Sequence, residues 1–457
     1  VRGIQDYIFG SPRLYEMRGA SALLTFFDRA VVPRLVEDSG GEVIASGGGN
    51  FFVQFGRDDR AEAFREKVEN AFFDLTSGHG IVVESLASDE AFPAAQRELH
   101  RRLRLRKHRP EGAQASPSMA FLKRCESCGR ETADVPPLPD AERGDPRRQW
   151  LGPACDRKRQ MASALLEAQH TPRRARQEVF GVPDSLEVPP LHPRLVNAEL
   201  PRDFESLVGD DALATLVADG NNLGDWFTDR DRAIYQEISH RINKAFETSL
   251  DAALDAAFSG DPKPSVQVLI CGGDDLVVAM PARRALSFAK ALLESFRVED
   301  PERAGQRTGL AAGLLVAKHS FPFRQAYALA EQLLHRAKGR CAAEKLPCAL
   351  DLLRVTATQV QSLEEELKAR EPEHGSGSRW SYGAAGPYTP AELAELMELS
   401  EELRRKVTPS QRGRLREILS PRDDAPESLL DEERRVPRRV VAELETWALR
   451  QDQEPFK

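Results

Sequence analysis

The chain has 457 residues, 41% of them hydrophobic and 30% charged, enough for roughly two to four domains with substantial cores and incompatible with wholesale disorder. No apolar run approaches the ~20 residues of a membrane helix and no secretory signal is visible, so a soluble, cytoplasmic protein without membrane partners is expected. The formal net charge of −8 excludes a generally basic nucleic-acid coat.

In chain order, a helix is expected from about Arg13 to Leu35. Glu42 to Ala45 and Phe51 to Phe55 read as strands around Gly47-Gly48-Gly49-Asn50. A helix near Arg60 to Phe73, a strand near Ile81 to Glu84 and a basic helix ending near Lys107 complete a first unit. Arg97, Arg101, Arg102, Arg104, Arg106, Lys107 and Arg109 crowd that last stretch, and Arg147, Arg148, Arg157, Lys158, Arg159, Arg173, Arg174 and Arg176 follow. Such a zone on an acidic protein steers a polyanion to one face, or is simply a solvated helical face.

Pro110 to Pro117 and Val135 to Gln149 read as loops around a cysteine cluster. Cys125-Glu126-Ser127-Cys128 presents two thiolates to one metal in the manner of a zinc knuckle, and Cys155 adds a third. The usual fourth position is occupied by Gly152. The fourth ligand must come from elsewhere, with His108 and His170 the nearest candidates; a redox pair is the alternative. Any zinc here is expected to be structural. Of the six cysteines, Cys271, Cys341 and Cys348 are scattered, and nothing resembles a secreted disulfide framework.

Ala214 to Ala218 reads as a strand ending in Asp219, followed by a helix from about Leu223 to Phe258 that Gly260-Asp261-Pro262 stops. Val266 to Cys271, Gly272-Gly273-Asp274-Asp275 and Leu276 to Met280 form a hairpin. A helix over Ala282 to Phe296, a strand over Leu310 to Val316 and a helix over Phe323 to Ala337, ending near Gly339, follow. The order β-α-β-β-α-β-α is the ferredoxin-like plan, and the first unit repeats it with its first strand cut short. The expected class is therefore α+β, with two ferredoxin-like palm units.

The two hairpins differ chemically. The second carries Asp274 and Asp275, whose mutual repulsion a divalent ion would relieve. Asp219, on the neighbouring strand end, would complete three carboxylates suited to a pair of Mg²⁺ or Mn²⁺ ions and in-line phosphoryl displacement. Gly272 and Gly273 leave room for a phosphate or base. Gly220, Asn221 and Asn222 open a helix whose free N–H groups suit a triphosphate. Lys338 is placed to neutralise phosphate, although a lysine near a helix C-terminus is favourable anyway.

Beyond Arg370 to Pro387, a Gly/Ser-rich loop, Thr389-Pro390-Ala391-Glu392 is a capping box, and Thr408 to Gln411 repeats the device. Leu393, Leu396, Leu399 and Leu403 make an apolar stripe typical of a helical bundle core. Four segments are expected: 1–109, 110–200, 201–355 and 356–457. They correspond to a first palm, a zinc-knuckle and helical linker, a catalytic second palm and a helical C-terminal domain.

Taken together, these motifs resemble the large polymerase-like subunit of type III CRISPR effector complexes. The resemblance rests on Gly3-Ile4-Gln5-Asp6-Tyr7-Ile8-Phe9, Arg18-Gly19-Ala20-Ser21, Ser46-Gly47-Gly48-Gly49-Asn50, the cysteine knuckle, Asp219 to Gly224 and Gly272 to Asp275. Ala330-Glu331, Ala337-Lys338 and Gly386-Pro387-Tyr388-Thr389 complete it. It implies conversion of ATP to cyclic oligoadenylate when target RNA binds, in a complex with guide RNA and other subunits. Asp274 and Asp275 match the catalytic metal-binding pair and Asp219 the carboxylate before them. Gly48, Gly49 and Asn50 would help seat a second ATP without chemistry. Asn221 stands where the family commonly has an acid, the zinc set lacks one cysteine, and no His-Asp pair precedes the first palm, so the form without an HD nuclease is expected. A GGDEF-like or adenylate cyclase-like synthase, or an idle ribonucleoprotein scaffold, are the alternatives.

Overall fold

The structure is a computed structural model that describes residues 4–47, 50–56, 58–88, 90–108, 121–137, 149–170, 195, 200–261, 263–303, 305–356, 363, 386–406 and 408. Gly3, Gly48, Gly49, Arg109, Arg147, Arg148, Arg173, Arg174 and Arg176 lie outside the described residues, as do Pro110–Pro117, most of the 370–387 loop and 409–411. The chain divides into two compact units, Val1–Thr356 and Ala357–Lys457.

The first unit opens with α1 (Ile4–Phe9), α2 (Leu14–Phe26) and α3 (Val32–Asp38). The helix expected over 13–35 is thus present but widened into a π turn at Phe27–Val31, next to Pro33, which lacks an N–H and crowds the preceding turn. Strands β1 (Gly41–Gly47) and β2 (Asn50–Phe55) pair antiparallel with Gly47 opposite Asn50. Helices α4 (Asp58–Thr76) and α5 (Phe92–His108) follow. The strand expected near Ile81 to Glu84 does not form. Its backbone is bonded by side chains instead: the Val83 N–H donates to Glu69 at 3.3 Å, and Arg106 donates to the Val83 carbonyl. Among the described residues, the first sheet therefore has two strands.

After α6 (Pro153–His170) and the short α7 (Phe204–Val208), the second palm begins with β3 (Leu213–Gly220). The helix expected over 223–258 is two helices, α8 (Leu223–Trp226) and α9 (Arg232–Phe258). Asp229 adopts a left-handed φ of 57° between them, and the Arg230 guanidinium folds back onto the Trp226 carbonyl at 3.1 Å. Strands β4 (Gln267–Gly272) and β5 (Asp275–Pro281), helix α10 (Ala282–Ser295) and the two-residue strands β6 (Val298–Glu299) and β7 (Arg307–Thr308) come next. Then follow β8 (Leu310–Ala317), α11 (Phe323–Glu344) and β9 (Ala349–Arg354). Helix α11 runs past Gly339, the expected stop, and ends where Lys345 turns left-handed and donates to the Cys341 carbonyl.

The sheet order is β4-β5-β3-β8-β9. The first four strands are mutually antiparallel, as the ferredoxin-like plan requires. β9 adds a parallel edge that the sequence reading did not anticipate. β3 and β8 are apolar and buried along almost their whole length, which places them at the centre with helices on both faces. One face carries α11, pressed so closely that a Cβ on Gly313 would meet the Ala330 carbonyl and lie 2.5 Å from the Leu334 nitrogen. In the second unit, α12 (Pro390–Lys406) starts at the expected capping box. The Thr389 N–H donates to Glu392 at 2.6 Å, and the Glu392 N–H donates to the Thr389 hydroxyl at 3.3 Å.

Much of the basic zone has internal partners. Lys158 and Arg159 are buried; they donate to the Tyr7 carbonyl at 2.5 Å and to Glu16 at 2.6 Å. Arg101 and Arg102 pair with Glu98, Arg106 with Glu69 and Glu84, and Arg97 with Asp229. No helix among the described residues is long and apolar enough to cross a membrane.

Candidate active site

Register decides the site. In the β3/β5 ladder Asp219 is the direct cross-strand partner of Asp275, so the two side chains share a face with Cβ atoms about 5 Å apart. Asp219 is also opposite Ala311, two residues from Gly313 in the β3/β8 ladder. Strand alternation then puts both acids on the α11 face. Gly272 pairs with Asp275, leaving Gly273 and Asp274 as a two-residue turn. Gly273 supplies the positive φ of 64° that the first turn position requires. The Gly220 N–H donates to the Asp274 carbonyl at 3.2 Å, tying the end of β3 to that turn. Three carboxylates thus meet at one sheet edge.

Helix α11 supplies the counter-groups. Lys338 Nζ lies 2.6 Å from Asp219 Oδ2. Tyr327, Glu331, His335 and Lys338 recur at three- and four-residue spacing and so line one face of the helix. Glu331 accepts from the Tyr327 hydroxyl at 3.0 Å and from Gln5 of α1 at 3.4 Å. Burial pushes Asp219 above the usual carboxylate range and Asp274 adds to this, while Lys338 and His335 oppose it. Asp275 is pushed up to about 7, first by burial and then by the charges of Asp274 and Asp219, with Lys338 opposing. Crowded acids of this kind are the electrostatic signature of a cation site.

The loop after Asp219 departs from expectation. Asn221 is buried, and its amide donates to the Pro347 carbonyl at 2.9 Å, so its side chain anchors the loop rather than facing the acids. Its backbone N–H is taken by the Gly309 carbonyl at 3.0 Å. Asn222 is exposed in a left-handed conformation, φ 54°. The helix it opens is four residues long, too short to present the dipole and free N–H array of a long helix to a triphosphate. Gly220 packs against Leu223.

A cleft of 620 Å³ opens beside the acidic turn. Gly273 and Asp274 lie on one side, and Asn50 of the first hairpin lies on another. Phe52, Phe92 and Phe227 surround Tyr235 with ring centroids 5.8, 5.8 and 4.6 Å away, forming an aromatic wall. The two hairpins face one cavity because α9 carries the first of them: Asn243 donates to the Ser46 carbonyl at 3.4 Å and Arg232 to Gln54 at 2.9 Å.

The cysteine cluster is assembled as the sequence implied. Ligand atoms of Cys125, Cys128 and Cys155 all lie within 4.8 Å of one another. The hydrogen bonds among the three thiols push Cys125 below the usual thiol range and Cys155 above it, so the group shares its protons, and its sulfur donors suit a soft or borderline metal. Three thiols at this separation fit Zn²⁺, whose ~2.3 Å bonds place tetrahedral ligands just under ~4 Å apart. The side chains of His108 and His170 lie outside the described residues. Sequence reasoning had no role for His335 and met Gln5 and Glu331 only within motifs; the 327, 331, 335, 338 periodicity was the available signal.

The family model of the Cas10/Cmr2 second palm domain matches residues 212–345. No curated protein matches the chain. Among solved structures, Csm1–Csm4 in the type III-A CRISPR-Csm interference complex is 16% identical with a TM-score of 0.51, covering 91% of this chain and 60% of that one. An apo Csm1–Csm4 cassette is 16% identical at TM-score 0.49, covering 96% and 67%. Csm1 in T. onnurineus is 16% identical at 0.49, covering 95% and 66%. This chain spans 60–67% of the length of those structures, and at this identity the likeness is one of fold. Residues 212–345 therefore belong to the Cas10/Cmr2 second palm domain family.

Proposed function

We propose that the chain converts ATP to cyclic oligoadenylate in response to target RNA bound by a type III effector complex. The observation that carries this reading is the cross-strand pair Asp219–Asp275, with Asp274 in the adjoining turn and Lys338 2.6 Å from Asp219. In the reaction, the 3′-hydroxyl of one ATP attacks the α-phosphorus of another and pyrophosphate leaves. Two Mg²⁺ or Mn²⁺ ions held by Asp219, Asp274 and Asp275 would, when bound, lower the pKa of the attacking hydroxyl and neutralise the charge on the leaving group.

The remaining work belongs to the chain. Gly273 at the turn leaves space for a phosphate to approach the acids. Lys338, which balances Asp219, stands where it also offsets phosphate charge. The aromatic wall around Tyr235 offers an apolar bed for a base, and Asn50, with Gly48 and Gly49, is assigned to the second nucleotide. Guide RNA, target RNA and a Csm4-class subunit are the proposed partners, and the helical 356–457 segment is assigned to assembly.

The test incubates the complex with ATP, Mg²⁺ and target RNA and resolves products by mass. Asp274→Ala/Asp275→Ala is expected to fold normally and to lower synthesis by more than ~10³-fold, since removal of even one transition-state donor costs ~10²–10³. Synthesis retained by this variant moves the active site elsewhere; products made from GTP indicate a different cyclase; no product from the wild type indicates a scaffold.

A further inference from the structure

Among the described residues the three-thiol cluster has no fourth ligand within the same close group, and the structure indicates where one comes from. The residue at the usual fourth position is Gly152. A Cβ built there would overlap Glu131 Oε2 and lie 2.7 Å from the Glu131 Cβ. The Glu131 side chain therefore fills the space that a side chain at 152 would need. Glu131 is also part of the knuckle's own framework: the Cys125 N–H donates to the Glu131 carbonyl at 2.8 Å, closing the loop that contains Cys128. Its Oε2 is buried without a hydrogen-bond partner. The Ala154 N–H bonds the same carboxyl group and the Cys125 thiol acts on its charge, but a buried carboxylate oxygen left unpaired is costly unless a cation satisfies it.

We propose that Glu131 is the fourth ligand of a Cys₃Glu zinc site formed with Cys125, Cys128 and Cys155. The chain has replaced a short thiol from position 152 with a longer carboxylate from position 131. The thiols alone form the close group, and the carboxylate closes onto the ion by rotation of its terminal torsions, which are soft. On binding, the thiols release their protons to solvent and no electron is transferred. Three thiolates and a carboxylate around Zn²⁺ leave a double negative charge. Lys158, whose charge acts on both Cys155 and Glu131, offsets part of it. Lys158 also donates to the Tyr7 carbonyl at 2.5 Å, so the zinc element is tied to α1, which packs on α11 through Phe9 against Phe323 and Tyr327.

The test does not depend on nucleotide synthesis. Zinc is quantified in the purified full chain, and the site is titrated with Co²⁺, whose visible spectrum reports the number of thiolates. One metal per chain with a three-sulfur spectrum is expected. Glu131→Ala and the isosteric Glu131→Gln are each expected to weaken binding by more than ~100-fold, the upper range for losing a mere outer-shell partner. Glu131→Ala/Gly152→Cys is expected to restore affinity with a four-sulfur spectrum. Unchanged affinity in both single variants overturns the assignment, and so does a folded wild type that binds neither metal. If Glu131→Ala fails to fold, Glu131→Gln gives the same reading without a cavity.

Discussion

Gly313 couples packing to chemistry, and Gly313→Ala tests that coupling. The added methyl would overlap the Ala330 carbonyl, lie 2.5 Å from the Leu334 nitrogen and 3.0 Å from the Leu333 Cβ. Ordinary van der Waals contact begins near ~3.4 Å, so α11 must withdraw from β8 by about 1 Å. Two of the obstructing groups are backbone and cannot rotate away. Overpacking of this kind costs about 1–3 kcal/mol, or roughly 1–4 °C in melting temperature for the unit Val1–Thr356. The same helix carries Lys338 to Asp219 at 2.6 Å, and a misplacement near 1 Å can cost about 10²-fold in rate. Thermal melts and mass-resolved product formation read the two effects separately. A variant with wild-type melting and wild-type synthesis refutes the claim that helix–sheet contact at Gly313 sets the site. Lower stability with full activity refutes only the coupling.

The metal-free protein should show a pH signature. Asp275 has a folded-state value of about 7, above the ~3.9 of an unfolded aspartate. Its contribution to stability is therefore fully present below pH ~4 and is lost as pH rises through 7. Melting in EDTA should fall across that window, Asp275→Asn should flatten the fall, and a pH-independent melt would contradict the electrostatics. Lys338→Met should reduce synthesis about 10–100-fold without weakening Mg²⁺ binding, as isothermal titration would show; weaker Mg²⁺ binding would mean the lysine organises the metal site instead. Arg230→Ala should cost about 3–5 kcal/mol in denaturant unfolding, because it leaves the buried Asp300 carboxylate without its cationic partner; a loss below ~1 kcal/mol would show that the Glu302 and Arg303 N–H groups, which also bond Asp300, satisfy it without the arginine.

The sequence by itself determined the features that a few neighbouring residues encode. Gly273 requires a turn and Asp274-Asp275 places acids at it; apolar runs make β3 and β8 central strands; Thr389 and Glu392 cap a helix. These depend on local backbone sterics and side-chain periodicity, which survive outside any tertiary context. Tertiary structure alone decided the rest. A one-residue slip of β3 would turn Asp219 to the opposite face, so its meeting with Asp275 depends on a ladder that only long-range packing sets. Asn221 looks from sequence like a nucleotide contact, yet it is committed to the Pro347 carbonyl, 126 residues away. Ile81 to Glu84 has strand composition but joins no ladder; the Val83 N–H and carbonyl are bonded by Glu69 and Arg106 from neighbouring helices instead. Glu131 carried no motif at all, and its place against Gly152 follows from that position having no side chain, a complementarity of shape that distant residues acquire only on folding.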